Sequence, residues 1–190
     1  SALFGATERE TLIAACEAAR RVHATLLEAR RAAGRVRHCH GDLTLANICL
    51  LDGLPTMFDR LEFDPALAAT DTLYDIAFTL MDLTRLGRRD LANELFNRYL
   101  DHRDETDGLA LMPAFMATRA AVRAHVDATR AGEAADPAAS AAGGKARACF
   151  DLARALLAPA APILVAIGGF SGSGKSTLAR ALSGDVGPAP

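Results

Sequence analysis

The sequence predicts a mainly α fold of the α+β class, with one small β-hairpin and, near the C-terminal end, a strand, loop and helix that open an α/β unit. Three observations carry this. Apolar residues recur at helical spacing over most of the chain; two short apolar runs flank Asp52-Gly53-Leu54-Pro55; and the apolar run Ile163-Leu164-Val165-Ala166-Ile167 leads directly into a glycine-rich segment.

The composition narrows the class. The chain has 190 residues, 51% of them apolar, and a formal net charge of −2, which suits one globular domain and the start of another. Such a charge supplies no broad basic field for DNA or RNA, and the pairs Arg20-Arg21, Arg30-Arg31 and Arg88-Arg89 lie among acidic residues as on a solvated helix face. Cys16, Cys39, Cys49 and Cys149 form neither a CxxC pair nor a compact disulfide spacing, so a reducing cytoplasm is the expected compartment. No signal-peptide pattern opens the chain. The uncharged stretch 155–174 is broken by Pro159, Pro162, Gly168, Gly169, Gly172 and Gly174, which favours a soluble strand and turn over a membrane span.

Taken in order, Thr7-Glu8-Arg9-Glu10 reads as a capping box, and Leu12, Ile13, Cys16, Ala19, His23, Leu26 and Leu27 form the stripe of one helix ended by Gly34. His23 on that stripe is expected to be a packing residue. The runs Ile48-Cys49-Leu50-Leu51 and Thr56-Met57-Phe58 are the strands of the hairpin. Asp64 as N-cap and Pro65 at the first helical position open a helix to about Gly87. Helices at about 88–102 and 108–131 follow, the second stopped by Gly132; a Gly/Ala/Ser-rich loop with Pro137 precedes another helix from Lys145 to Leu157. Pro159 to Pro162 mark a boundary, giving a first domain at 1–158 and the start of a second at 159–190.

The hairpin is framed by His40-Gly41-Asp42-Leu43-Thr44-Leu45-Ala46-Asn47 on one side and Phe58-Asp59 on the other. Three carboxylate or amide side chains are therefore expected near its open end. Phosphoryl transfer needs a carboxylate to take the proton of the attacking hydroxyl and oxygen ligands for the magnesium ions that neutralise phosphate charge. The spacing from Asp42 to Asn47 equals that of the kinase catalytic loop, and Asp59 stands like the second metal-binding aspartate. Zinc binding by His38, Cys39, His40 and Cys49 is disfavoured, because in a strand Cys39 points away from its two histidine neighbours.

HGDLTLANICL, MFDRLEFDPAL and TDTLYDIAF resemble successive motifs of the aminoglycoside phosphotransferase family, over roughly residues 1–130. The resemblance implies the helical large lobe of a protein-kinase-like fold and an ATP-dependent phosphotransferase acting on a hydroxyl of a small molecule. It implies Asp42 as catalytic base, Asn47 and Asp59 as Mg2+ ligands, and His40 and Asp75 as supports of the catalytic loop, Asp75 by accepting its backbone hydrogen bonds. Gly41 stands where protein kinases carry an arginine, so switching by a phosphorylated activation loop is not expected; Thr44 is a candidate substrate contact. No lysine precedes Lys145, and no Gly-rich loop precedes His40, so the small lobe of such a kinase is expected to be missing from this chain.

The segment Gly169-Phe170-Ser171-Gly172-Ser173-Gly174-Lys175-Ser176-Thr177 fits the P-loop pattern between an expected strand and an expected helix, Ser176 to Leu182. Its amides would cradle a phosphate of ATP, with Gly169, Gly172, Ser173, Gly174 and Thr177 shaping the site. Lys175 would reach the β- and γ-phosphates and Ser176 would ligate Mg2+. The order of the two motifs resembles bacterial proteins that join a phosphotransferase-like domain to a P-loop ATP-binding domain. The alternative is a catalytically silent kinase-like module attached to an active P-loop enzyme.

Overall fold

Helix follows helix around a single long-buried one. The computed structural model describes residues 3–62, 65–134, 136, 140–159, 161 and 163–187. The described chain is mainly helical: α1 (Ala6–Val22), α2 (Ala24–Ala32), α3 (Pro65–Ala68), α4 (Thr72–Arg85), α5 (Arg89–His102), α6 (Met112–Ala131), α7 (Ala141–Leu157) and α8 (Lys175–Val186). Among the described residues four short strands form two antiparallel pairs, β1 (Val36–His38) with β4 (Ala69–Asp71), and β2 (Ile48–Leu51) with β3 (Leu54–Met57). Among the described residues no helix is long and apolar enough to cross a membrane.

The core explains the order of elements. Leu73, Ile76, Ala77, Phe78, Leu80 and Met81 of α4 are all buried, so this helix has apolar neighbours on several sides rather than along one stripe. On one side lies α6, whose Ala117, Ala120, Ala124 and Ala128 repeat at three- and four-residue spacing and are also buried. Such small side chains let α7 approach with Ala146, Cys149, Phe150, Ala153 and Leu156. On another side α5 adds Ala92 and Phe96. Helix α1 packs on α6 and α7, and Phe4, just before it, stacks on Phe150 at 4.4 Å. Each fully buried large side chain stabilises by about 1.5–3 kcal/mol.

Several boundaries depart from the sequence expectation. The first helix is two helices that meet at His23, a half-buried residue that ends one and begins the other. Its start is at Ala6, where Glu8 accepts the Gly5 amide at 3.0 Å, two residues ahead of the expected capping box. The helix expected from Pro65 to Gly87 is interrupted, because residues 69–71 leave it to pair with β1 before Asp71 caps α4 through the Leu73 amide. The expected cap Asp64 lies outside the described residues, as do Pro137 and Pro162. The hairpin turn is shorter than expected, two residues with left-handed φ of 52° at Asp52 and 79° at Gly53, so Leu54 and Pro55 belong to β3. The last of these helices begins at Ala141, where the Ser140 hydroxyl accepts the Gly143 amide, ahead of Lys145.

The strand expected at 163–167 does not form among the described residues. Ile163 is 68% and Leu164 96% exposed, and a lone apolar run with no neighbouring strand has nothing to pair its backbone with. The helix after it is present and longer than expected, Lys175–Val186.

Candidate functional site

The loop 40–47 is laid along α4 by three side chains of that helix. Asp75 accepts the amide of His40 at 3.0 Å with Oδ2 and that of Gly41 at 2.8 Å with Oδ1. One turn on, the Thr79 hydroxyl donates to the Leu43 carbonyl at 2.7 Å, and Asp82 accepts the Leu45 amide at 3.1 Å. Residues 75, 79 and 82 share one helix face, so a regular helix offers a row of anchors to an irregular segment. All three are buried, at 7%, 3% and 6% exposure, and so must find partners; the loop backbone supplies them.

Within the loop a 3-10 turn, Leu45–Asn47, returns Asn47 to Asp42. The Asn47 Nδ2 donates both to the Asp42 carbonyl at 2.9 Å and to its Oδ2 at 3.1 Å. Both partners are acceptors, so the amide nitrogen must face them and Oδ1 points elsewhere. The base of the hairpin then carries the chain to Asp59: Phe58 donates its amide to the Asn47 carbonyl at 3.0 Å. His40 Nε2 meets the Phe58 carbonyl at 2.8 Å and therefore bears the proton. Asp59 itself is exposed, in a left-handed conformation with φ 58°. The structure thus brings Asp42 and Asn47 into contact, and ties the residue before Asp59 to both His40 and Asn47.

Gly41 is fixed from three directions. Its φ is 84°, a region that favours glycine, and a Cβ there would lie 2.6 Å from Leu61 Cδ1. Its amide goes to Asp75, and its carbonyl accepts from Arg119 at 3.0 Å. Thr44, a candidate substrate contact in sequence, is only 2% exposed and faces the interior.

Two arginines depart from what the sequence suggests: Arg119 is not singled out by it, and Arg30, expected with Arg31 on a solvated helix face, is buried because three carboxylates gather around it. Arg119 of α6 is 7% exposed, donates Nε to the Tyr74 carbonyl at 3.0 Å, and lies 3.8 Å over the Tyr74 ring. Burial holds its pKa below the usual arginine value, against the pull of Tyr74, Asp75 and Asp42. Arg30 of α2 is fully buried among Asp71, Glu105 and Asp107, at 2.8, 2.6 and 2.8 Å. Burial pushes the Glu105 carboxyl up, but bonds from Arg30, Thr72 and Tyr99 outweigh it and hold the group below its ordinary value.

Among the described residues no three His, Cys, Asp or Glu side chains gather to hold a metal by themselves. The Cys39 thiol is pushed up to about 11, chiefly by burial, and donates to the Thr70 carbonyl, so it remains a thiol at neutral pH. The oxygen-bearing side chains next to the loop that could contribute to a cation site are Asn47, through Oδ1, and the exposed Asp59. A magnesium ion commonly takes only one or two protein oxygens and fills the rest with water and phosphate.

The second motif is built differently. Gly169, Gly172 and Gly174 have φ of 153°, 75° and 82°, and Gly174 is the cap residue just before α8. A Cβ on Gly169 would meet Ser173 Oγ at 2.7 Å, so the loop folds closely on itself. The Lys175 ammonium reaches back to the Phe170 carbonyl at 2.6 Å, which puts the cation over the loop at a helix N-terminus. Ser176 and Thr177 lie in the first turn of α8 and are exposed. The helix is docked on α5: Asn93 donates to the Arg180 carbonyl at 2.6 Å, Ser183 donates to Asn93, and Arg180 pairs with Asp101.

The comparisons place the chain beside mycobacterial proteins. It is 37% identical over 166 residues to an uncharacterized protein of Mycobacterium tuberculosis and, at the same identity, to an uncharacterized protein of Mycobacterium bovis. The match covers 82% of this chain and 31% of each relative, so the chain spans about a third of the length of the curated relatives it matches. No family model matches the sequence. No solved structure matches it.

Proposed function

We propose that residues 1–158 carry the catalytic loop of an ATP-dependent phosphotransferase acting on a small-molecule hydroxyl, like the aminoglycoside phosphotransferases the sequence resembles. Residues 159–190 open a second, P-loop nucleotide site. The observation that supports this most directly is the Asp42–Asn47 contact on a loop whose amides are held by Asp75. In this reading Asp42 takes the proton of the acceptor hydroxyl and Asn47 holds Asp42 in place with its nitrogen; Asn47, through its oxygen, and Asp59 would be the residues to hold Mg2+, which would neutralise phosphate charge. ATP with Mg2+ supplies the phosphoryl group, and catalysis is positioning and charge neutralisation. At the other site the half-buried Lys175 and the exposed Ser176 would meet the phosphates and Mg2+ of a second nucleotide.

The test uses a protein that spans the full length of the relatives, assayed for ATP-dependent phosphorylation of aminoglycosides, sugars and amino alcohols. Asp42→Asn keeps the shape and removes the proton acceptor, so transfer should fall by roughly 10²–10⁴-fold. Lys175→Ala should leave that activity and weaken one of two ATP binding events in a calorimetric titration. Undiminished transfer by Asp42→Asn would sink the reading.

A further inference from the structure

We propose that Arg119 is a positioning residue for Asp42: its guanidinium fixes the plane of the peptide that joins Gly41 to Asp42. The role of Asp42 rests on the function proposed above; the placement of Arg119 does not. A guanidinium is a rigid plane, and here one plane spans two elements, with Nε on the Tyr74 carbonyl of α4 and Nη1 on the Gly41 carbonyl of the loop, each at 3.0 Å. The Gly41 carbonyl and the Asp42 amide belong to the same planar unit, so fixing one fixes the direction in which Asp42 leaves the backbone.

The loop needs such a device at this point. Gly41 has no Cβ and the widest conformational freedom of any residue, yet it immediately precedes Asp42. Asp75 holds the amide on one side of Gly41, and Leu61 covers its Cα, but neither controls the carbonyl on the other side. Arg119 supplies that missing restraint. Its own orientation is set by the Tyr74 ring at 3.8 Å, the Phe78 ring at 4.7 Å and Asp75 Oδ1 at 3.6 Å. A lysine would carry the charge but cannot hold two carbonyls from one plane.

The experiment uses the protein that spans the full length of the relatives and compares wild type with Arg119→Met and Arg119→Lys. Arg119→Met keeps an unbranched apolar side chain at the position and removes the donors. Two readouts are taken: the kcat and KM of hydroxyl phosphorylation, and amide exchange by mass spectrometry in the peptide covering 40–47, with α6 and α7 peptides as reference. In Arg119→Met the loop should exchange on the order of tenfold faster, the effect of losing one buried hydrogen bond, with the reference peptides unchanged. The kcat should fall about tenfold or more while KM for ATP and acceptor stays within about threefold, the signature of lost transition-state alignment. Arg119→Lys should lie between.

Wild-type exchange in 40–47 with wild-type kcat in Arg119→Met overturns the proposal. So does a uniform rise of exchange in 40–47, α6 and α7 for both variants, which would make Arg119 a packing residue only. If no turnover depends on Asp42, the functional reading fails, and the exchange data alone decide whether Arg119 holds the loop.

Discussion

The two glycine-bearing loops carry motifs of equal clarity in sequence and differ sharply in what holds them. Loop 40–47 is met by three side chains of α4 and one of α6, and the side chain of Leu61 packs on Gly41. Loop 169–174 is held by its own atoms: the Lys175 ammonium on the Phe170 carbonyl, and the Ser173 amide on the same carbonyl at 3.3 Å. Phe170 is 92% exposed, and among the described residues no strand lies beside the run before it. A motif names the chemistry a segment can do. Its geometry becomes firm only where other parts of the chain enclose it.

The sharpest break of that contrast is Asp75→Ala. It strands the His40 and Gly41 amides beneath the loop, at about 1–3 kcal/mol for each buried donor left without a partner. Chemical denaturation should show the loss in the midpoint, and exchange should rise first in 40–45.

Gly41→Ala should cost less. A left-handed alanine is strained by about 1–2 kcal/mol, and its methyl group must also displace Leu61, which sits 2.6 Å from the Cβ position. A melting temperature equal to wild type would show that the loop is looser than the contacts imply. At the small end, Lys175→Ala should change stability by no more than about 0.5 kcal/mol, as expected of a substitution away from buried features, since its hydrogen bond lies within its own exposed loop. A larger loss would mean that the P-loop is as firmly tied to the rest of the molecule as loop 40–47.

The parts legible in sequence are those decided locally. Helix α5 is found within a residue, because its apolar stripe and the flanking Gly87 specify it. The return of Asn47 to Asp42 needs only five residues and one 3-10 turn. Strands β1 and β4, three residues each and about thirty apart, have no pattern to announce them, and the pair they form is what cuts the helix expected from Pro65. The role of Arg119, and the burial of Arg30 where a solvated helix face is expected, escape the sequence for a related reason. Arg119 acts on a carbonyl 78 residues away and Arg30 on carboxylates 41 and 75 residues away, and an arginine on a helix is ordinarily a surface residue. A weak signal existed for Arg30: Asp71, Glu105 and Asp107 all lie near element ends, where a buried cation has carboxylates to gather. The strand at 163–167 fails in the opposite sense, since an apolar run has strand propensity but needs a neighbour to become one.

The row formed by Asp75, Thr79 and Asp82 also works as a ruler. At about 1.5 Å per residue, seven helical steps mark off roughly 10 Å, and the segment from His40 to Leu45 must span that length with its amides and carbonyls in phase with the marks. Changing a side chain at Leu43 or Ala46 leaves the phase intact. Adding or removing one residue between His40 and Leu45 does not, because every later backbone group would arrive at the wrong anchor and Asp42 would turn away from Asn47. The loop therefore tolerates spelling changes and not changes of length, and chains sharing this site should vary here by substitution while insertions gather beyond Leu51, in the exposed turn of the hairpin.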